Sequence, residues 1–281
     1  MSRILRHLTA DWTGRFAVAV VALLAVLSLI GSVLPIPPYA TIDLGQSLQP
    51  PSLVHPFGTD ILGRNILSGI LEGTGLVVYV VVVTVGLAAL VGVSLGLVAG
   101  YAGGVVDQLL MRVVDVLLVF PSILLALAIV STLGVGLENS VLAMAVAQVG
   151  PFARLVRGSV LAAKQSLWVE NARSVGATSI SIALGHILPN IAGPVVVQAT
   201  FATGTSLLGV AALGFLGLGA QPPTPDWGTM LYENRNYLTT SPQGVIFPGM
   251  AIFLVVFALN IVGESLREVL DPRLRNTLVI S

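Results

Sequence analysis

Long apolar runs separated by short polar islands organise this chain, and six of the runs are long enough to predict membrane helices. A transmembrane helix needs about 20 mainly apolar residues. Residues 16–34, 76–99, 113–133, 141–156, 191–213 and 245–262 supply them, the fourth run being rather short. The first follows Arg3, Arg6 and Arg15, but its apolar core exceeds the roughly 7–15 residues of a signal peptide and reads as an uncleaved signal anchor. In the second, Gly92, Gly96 and Gly100 recur every fourth residue. That spacing lets a neighbouring helix approach closely, without naming the neighbour.

The island at 170–190, ENARSVGATSISIALGHILPN, has a helical period of its own. Val169, Ala172 and Val175 recur at helical spacing, with Glu170, Arg173 and Ser174 on other faces. Gly176 stands where a helix C-cap needs a left-handed residue, and Thr178 or Ser179 can cap the helix that follows. Ile180, Ala183, Leu184, Ile187 and Leu188 then mark one apolar face, and Pro189 marks the stop. A helix–Gly–helix element projecting from a membrane domain predicts a docking surface for something soluble.

Composition removes the soluble alternatives. The chain is 55% hydrophobic and 9% charged, with a mean hydropathy of +0.95, whereas a soluble domain carries about a quarter charged residues. The net charge is zero, so the positions of the charges carry the information. With the N-terminus in the cytoplasm, Arg3, Arg6, Arg15, Arg112, Arg154, Arg157, Lys164, Arg173, Arg267, Arg273 and Arg275 fall inside or at the inner boundary, leaving only Arg64 and Arg235 outside. The positive-inside rule supports this topology and puts 170–190 in the cytoplasm. Two segments, 36–75 and 217–244, then lie outside as Pro-rich loops without the apolar periodicity of an independent core.

The chain has no cysteine, which excludes a disulfide framework and thiolate metal sites. Its one lysine, Lys164, follows Ala163, so the GxxxxGK[ST] phosphate loop is missing. No catalytic constellation or metal-ligand cluster is visible, and His186 has no clustered partners. Arg112 and Asp115, one turn apart, are expected to pair. Asp60 and Arg64 are expected either to form a local ion pair or to face a partner protein, an exposed pair contributing only about 0–1 kcal/mol.

The island resembles the cytoplasmic EAA loop of permease subunits in bacterial ABC importers, through Glu170-Asn171-Ala172, Gly176 and Ile187-Leu188-Pro189-Asn190. Asn171 replaces the middle alanine of that pattern, and Gly185 stands where arginine is usual in the peptide-transporter branch. His55-Pro56-Phe57-Gly58-Thr59-Asp60 with Leu62-Gly63-Arg64-Asn65 is similar to the HPxGTDxxGRD segment of dipeptide and oligopeptide permeases, with Asn65 for aspartate and Gly69 where arginine often lies. Gly214 to Gly219, Gln221-Pro222-Pro223, Trp227 to Leu231 and the tail Leu270-Asp271-Pro272-Arg273-Leu274-Arg275 also match that class. The resemblance covers nearly the whole chain and points to the C-type permease of the dipeptide/oligopeptide/nickel class.

The resemblance implies an all-α membrane protein of six transmembrane helices with both termini cytoplasmic, a single domain over 1–281 of the type I ABC importer permease fold. It implies a multi-pass subunit of the bacterial inner membrane, surrounded by lipid, that forms the path for peptides or a similar small solute by alternating access. Its partners would be a homologous B-type permease, two ATP-binding subunits carrying ATP and Mg, and an extracytoplasmic substrate-binding protein, with no nucleic acid. No enzyme activity and no cofactor are expected on this chain. The coupling loop at 157–190 would meet the ATPase through Glu170, Ala172, Arg173, Gly176, Ala177, His186, Leu188 and Pro189. The alternative is an ion-coupled secondary transporter. Such proteins place ionisable groups at mid-membrane, whereas here the mid-span polar groups are Gln148, Gln198 and Asn260.

Overall fold

A computed structural model describes residues 11–30 and 37–270. Arg3, Arg6, Arg273, Arg275, the end of the first predicted span and the 271–275 tail lie outside the described residues. Nine helices in chain order carry the described fold: α1 (Trp12–Ile30), α2 (Ile66–Ala102), α3 (Gly104–Val119), α4 (Ser122–Leu133), α5 (Leu137–Ala163), α6 (Leu167–Ser174), α7 (Ala192–Phe215), α8 (Trp227–Asn234) and α9 (Gln243–Leu270). Between α6 and α7 runs a composite segment of an α-turn (Ser179–Ser181), a π-turn (Ile182–Ile187) and another α-turn (Leu188–Asn190). Five of the helices are long and apolar enough to cross a membrane, and the count is six if the bent α3–α4 pair is taken as one span.

The largest helix–helix contact is α2 on α5, and the glycine repeat explains it. A Cβ on Gly92 would lie 2.7 Å from the Val149 carbonyl oxygen, one on Gly96 2.5 Å from that of Ala153, and one on Gly100 3.0 Å from that of Arg157. Each step of the repeat therefore meets the next turn of α5, backbone against backbone. At 37 residues and about 1.5 Å per residue, α2 far exceeds the roughly 30 Å of bilayer hydrocarbon. Both of its ends project into other layers.

Around this pair the apolar residues form successive cores. At one end Tyr39, Ile66, Trp227 and Met230 pack with Leu207 and Ala211 of α7 and Ile252 and Val255 of α9. In the middle Val80, Ala126, Val130, Met144 and Leu213 join α2, α4, α5 and α7. At the other end Leu97, Val156 and Val160 pack with Val169, Ala172, Ile182, Ala183, Ile187 and Ile191.

The structure corrects one predicted span. Residues 113–133 are not one rod: α3 and α4 meet at 95°. Hydropathy continues unbroken across the junction, but Pro121 lacks the amide hydrogen and disfavours the helical conformation at the residue before it. Phe120 is accordingly extended, at φ −87° and ψ 137°. The predicted pair of Arg112 with Asp115 is corrected too. Asp115 instead reaches across to Arg154 of α5 at 2.6 Å, with both side chains about 60% exposed (61% and 59%), an arrangement worth about 0–1 kcal/mol.

Gly96→Leu should drive α2 off α5 and lower stability by about 1–3 kcal/mol, the usual cost of overpacking. Gly86→Ala, with open space where the methyl would go, should leave stability unchanged or slightly raised. Thermal unfolding of the two variants in detergent checks this; equal melting would show that the glycine contact does not govern the packing.

Candidate functional site

Two surfaces, one at each end of the α2–α5 pair, carry the residues singled out from sequence. At the first, α6 and the composite segment form a shallow layer over the ends of α2 and α5. α5 stops at Lys164, whose Nζ donates to the Tyr101 carbonyl at 2.7 Å and to that of Gly100 at 3.3 Å. A cation on the last carbonyls of α2 satisfies groups the helix leaves open and complements its dipole. Two turns earlier, Arg157 clasps Asp107 of α3 through two hydrogen bonds of 2.6 Å.

The turn between α6 and the composite segment has the expected local chemistry. Gly176 is left-handed at φ +84°, and Thr178 Oγ1 accepts from the Ser181 amide at 3.3 Å. Val169 and Ala172 face inward, while Val175 is 84% exposed. Beyond the turn the apolar pattern departs from expectation. Ile182, Ala183 and Ile187 are buried, whereas Ile180 and Leu184 point outward at 72% and 53% exposure. The π-turn over Ile182–Ile187 winds more slowly than an α-helix and rotates the buried face. Pro189 lies in the first turn of the Leu188–Asn190 piece and does not end it; the interruption falls at Ile191, whose φ and ψ are −95° and 2°.

The structure therefore divides the eight residues named from sequence. Glu170, Arg173, Gly176, His186 and Pro189 are exposed on the outer face of this layer. Ala172 is buried in the core beneath it, with Ala177 and Leu188 packed against that core. Ala172 thus holds the layer down and does not face outward. Sequence reasoning missed the apolar part of the face, namely Leu167, Trp168, Val175, Ile180 and Leu184, all exposed. Large apolar residues clustered on a polar, exposed layer are the usual mark of an interaction surface. The available signal was that α6 and the composite segment hold more apolar residues than their buried side can accommodate.

At the other end, residues 37–65 and α8 form a cap. Its centre is Arg64, only 2% exposed, with Nε 2.5 Å from Asp60 Oδ2 and Nη2 2.6 Å from Glu233 Oε2 of α8. The Tyr39 ring lies under the guanidinium, 4.4 Å from centroid to Cζ, while the Tyr39 amide donates to Glu72 of α2 at 2.9 Å. Asp60 Oδ1 accepts from the backbone amides of Leu62 and Arg64, both at 2.9 Å. Burial works against the Arg64 charge, but Tyr39, Asp60 and Glu233 outweigh it and hold its pKa above the ordinary value. Burial also pushes the Tyr39 phenol far up. Asp60 and Arg64 are thus a buried pair with a third partner, and neither faces outward.

The glycines of this cap are spatial necessities. Gly63, at φ +72°, has the Asp43 carbonyl oxygen 1.7 Å from where a Cβ would be. Asn65 caps α2, its Oδ1 accepting from the Leu67 and Ser68 amides at 2.9 and 3.3 Å. At Gly69 a Cβ would sit 2.7 Å from the Tyr39 ring, which fills the space a larger side chain would need. Asp226 caps α8 through the Thr229 amide at 3.0 Å, and burial raises its carboxyl pKa.

The profile of the family described as "Binding-protein-dependent transport system inner membrane component" matches residues 92–276. The chain is 44% identical over 238 residues to the dipeptide transport system permease protein DppC of Alkalihalophilus pseudofirmus, covering 85% of this chain and 78% of that protein. It is 45% identical over 234 residues to the glutathione transport system permease protein GsiD of Pectobacterium atrosepticum, covering 83% and 78%. With the Escherichia coli O157:H7 protein of the same name it shares 46% over 225 residues, covering 80% and 74%.

Removing one partner of a buried ion pair leaves the other uncompensated, which costs about 3–5 kcal/mol. Arg64→Ala should destabilise the protein by that order, and Arg64→Met combined with Asp60→Asn and Glu233→Gln, which removes all three charges, by much less. Thermal unfolding distinguishes them, and equal losses would mean that the cluster is not electrostatically closed. Asp226 titrates the other way from a salt-bridged carboxylate. Its folded pKa is raised, so its contribution is greatest when protonated and falls as pH rises from the ordinary carboxylate range through the folded value. Asp226→Asn should therefore match or exceed wild-type stability at pH 7 and flatten this pH slope, while Asp226→Ala should lose the cap, about 1 kcal/mol. Melting curves run from about pH 4, the ordinary carboxylate range, up through neutral pH would refute this if Asp226→Asn and Asp226→Ala fell together.

Proposed function

Because the chain belongs to the family of binding-protein-dependent transport system inner membrane components, it is an inner-membrane permease subunit of an ABC importer, and we propose that it forms, with a homologous B-type permease, the path for peptides or a similar small solute. Family membership sets aside the ion-coupled secondary transporter. In this reading the chain is one transmembrane domain. The 36–75 and 217–244 segments form an extracytoplasmic cap that receives a substrate-binding protein, and 157–190 is the cytoplasmic coupling loop. ATP and Mg are held by two separate ATPase subunits, and the energy of hydrolysis enters through the loop.

The single observation that carries this reading is the layer formed by α6 and the composite segment. It is fastened beneath by Val169, Ala172, Ile182 and Ile187 to Leu97 of α2 and Val156 of α5, and it presents Glu170, Arg173 and exposed apolar residues on its free side. Glu170 and Arg173 supply polar contacts to an ATPase groove, with Gly176, His186 and Pro189 around the turn. Ala172, Ala177 and Leu188 transmit the push inward because they are packed against the spans. A rigid cover on a rigid pair of helices moves them when it is moved.

The substrate class follows the relatives, one named for dipeptide transport and two for glutathione transport. Both kinds of solute combine backbone-type amides with free carboxylates.

Gly176→Val tests the coupling role. No atom lies within 4 Å of the added Cβ, so the cost is conformational, about 1–2 kcal/mol for a bulky residue held left-handed. The variant should reach the membrane and co-purify with its partners yet hydrolyse ATP without matching uptake, whereas Gly176→Asn, which tolerates that conformation, should retain uptake. Normal uptake by Gly176→Val would remove Gly176 from the coupling step. Purification of the wild-type chain in mild detergent with no ATP-binding subunit attached would overturn the importer assembly.

A further inference from the structure

α7 carries a polar stripe that neither the cap nor the coupling layer uses. Pro194, Gln198, Phe201 and Thr205 recur every third or fourth residue along one face of α7, and Asn190 precedes them at the same spacing. Two cavities open onto this stripe. One, of about 620 Å³, is lined by Leu155, Asn190, Pro194, Gln198 and Phe201 and by Arg267 of α9. The other, of about 260 Å³, lies under the α3–α4 elbow, between Phe120 and Ser122 on one side and Gln148, Pro151, Gln198 and Thr205 on the other. Gln198 and Phe201 belong to both, so the two spaces adjoin along α7.

The hydrogen bonding of the stripe is incomplete. Gln148 of α5 donates from Nε2 to Thr205 Oγ1 at 2.6 Å, and the Thr205 hydroxyl is within reach of its own helix carbonyls at Phe201 and Ala202. Gln148 Oε1 and the whole Gln198 amide have no hydrogen bond among the described residues. Arg267 has no ion pair among them either, and among the described residues no carboxylate lines the cavity it faces. Unsatisfied amides within a membrane span cost several kcal/mol against lipid, so such groups face the protein interior or a water-filled space. The cavities provide that space.

We propose that Gln198, with the Gln148–Thr205 pair on one side and Asn190 and Arg267 on the other, is the contact ladder along which this permease passes a solute that carries both amide groups and a carboxylate. The Gln148 and Gln198 amides each offer a donor and an acceptor, matching a peptide group. Arg267 offers a charge to the carboxylate end. Phe201, shared by both cavities, divides the path at the level of the elbow. This rests on the peptide-permease reading above and assigns the residues that would meet the peptide.

The test uses the natural absence of cysteine in the chain. Gln198→Cys and Val196→Cys are each placed in the complete reconstituted complex. Val196 is 47% exposed and lies about 200° round the helix from Gln198. A charged, water-soluble thiosulfonate should modify Gln198→Cys at least roughly tenfold faster than Val196→Cys, read by mass on the separated subunit, and excess alanyl-alanine during turnover should slow it. In proteoliposomes, Gln198→Leu should lower the uptake of radiolabelled alanyl-alanine per ATP hydrolysed by about tenfold, the scale of one or two lost hydrogen bonds. Gln198→Asn should recover part of it and Val196→Leu should keep it. A wild-type complex that takes up alanyl-alanine while Gln198→Cys labels as slowly as Val196→Cys, or while Gln198→Leu takes it up normally, overturns the ladder alone. A wild-type complex that takes up neither alanyl-alanine nor glutathione overturns the peptide reading, and the solute class assigned to these residues with it.

Discussion

The backbone contact between α2 and α5 is the constraint from which the rest of the architecture follows. Three glycines in register remove the side chains that would hold the helices apart, and the carbonyls of Val149, Ala153 and Arg157 occupy the space. Both ends of α2 are then secured by chemistry specific to each. Asn65 caps its first turn beside the buried Arg64, and Lys164 caps its last carbonyls from the end of α5. A rod fixed at both ends and along its middle provides one frame for the cap and the coupling layer.

Charge is used differently along that frame. In the cap, Arg64, Asp60 and Glu233 are withdrawn from solvent and hold two distant segments together. At the opposite end, Arg157 and Asp107 join α3 to α5 as a partly exposed clasp, and Glu170 and Arg173 remain in the open. In the middle the polar groups are neutral amides and hydroxyls. The sequence of buried charge, neutral polarity and exposed charge suits a protein that must close on one side, pass a solute through apolar surroundings and be driven from the other side.

The readable parts of the sequence were those set by local chemistry. The long helices followed from sustained apolar composition, because a span satisfies its own backbone within the segment. Gly176 and Thr178 were legible because a left-handed cap and a hydroxyl cap each need a specific residue at a specific offset. The elbow at Phe120 was hidden because hydropathy does not register a missing amide hydrogen, although Pro121 was in view. Ile180 and Leu184 lie off the buried face because the π-turn breaks the 3.6-residue period on which their expected position rests. The partner of Arg64 could not be read at all, since Glu233 lies 169 residues away and only the tertiary fold brings them together. The same holds for Gln148 and Thr205, which look like scattered polar residues until α5 meets α7.

That long separation within the cap bears on how the protein is made. Synthesis runs from the N-terminus, and elements fold as they emerge. When α2 and its leading segment are complete, Arg64 has Asp60 but not Glu233, which is translated only with α8. The cap therefore stays one hydrogen bond short through the manufacture of most of the chain and closes only when α8 arrives. A chain truncated before that point would leave Arg64 Nη2 without its acceptor among apolar residues, giving the cell's quality control a local feature by which to tell an unfinished permease from a finished one.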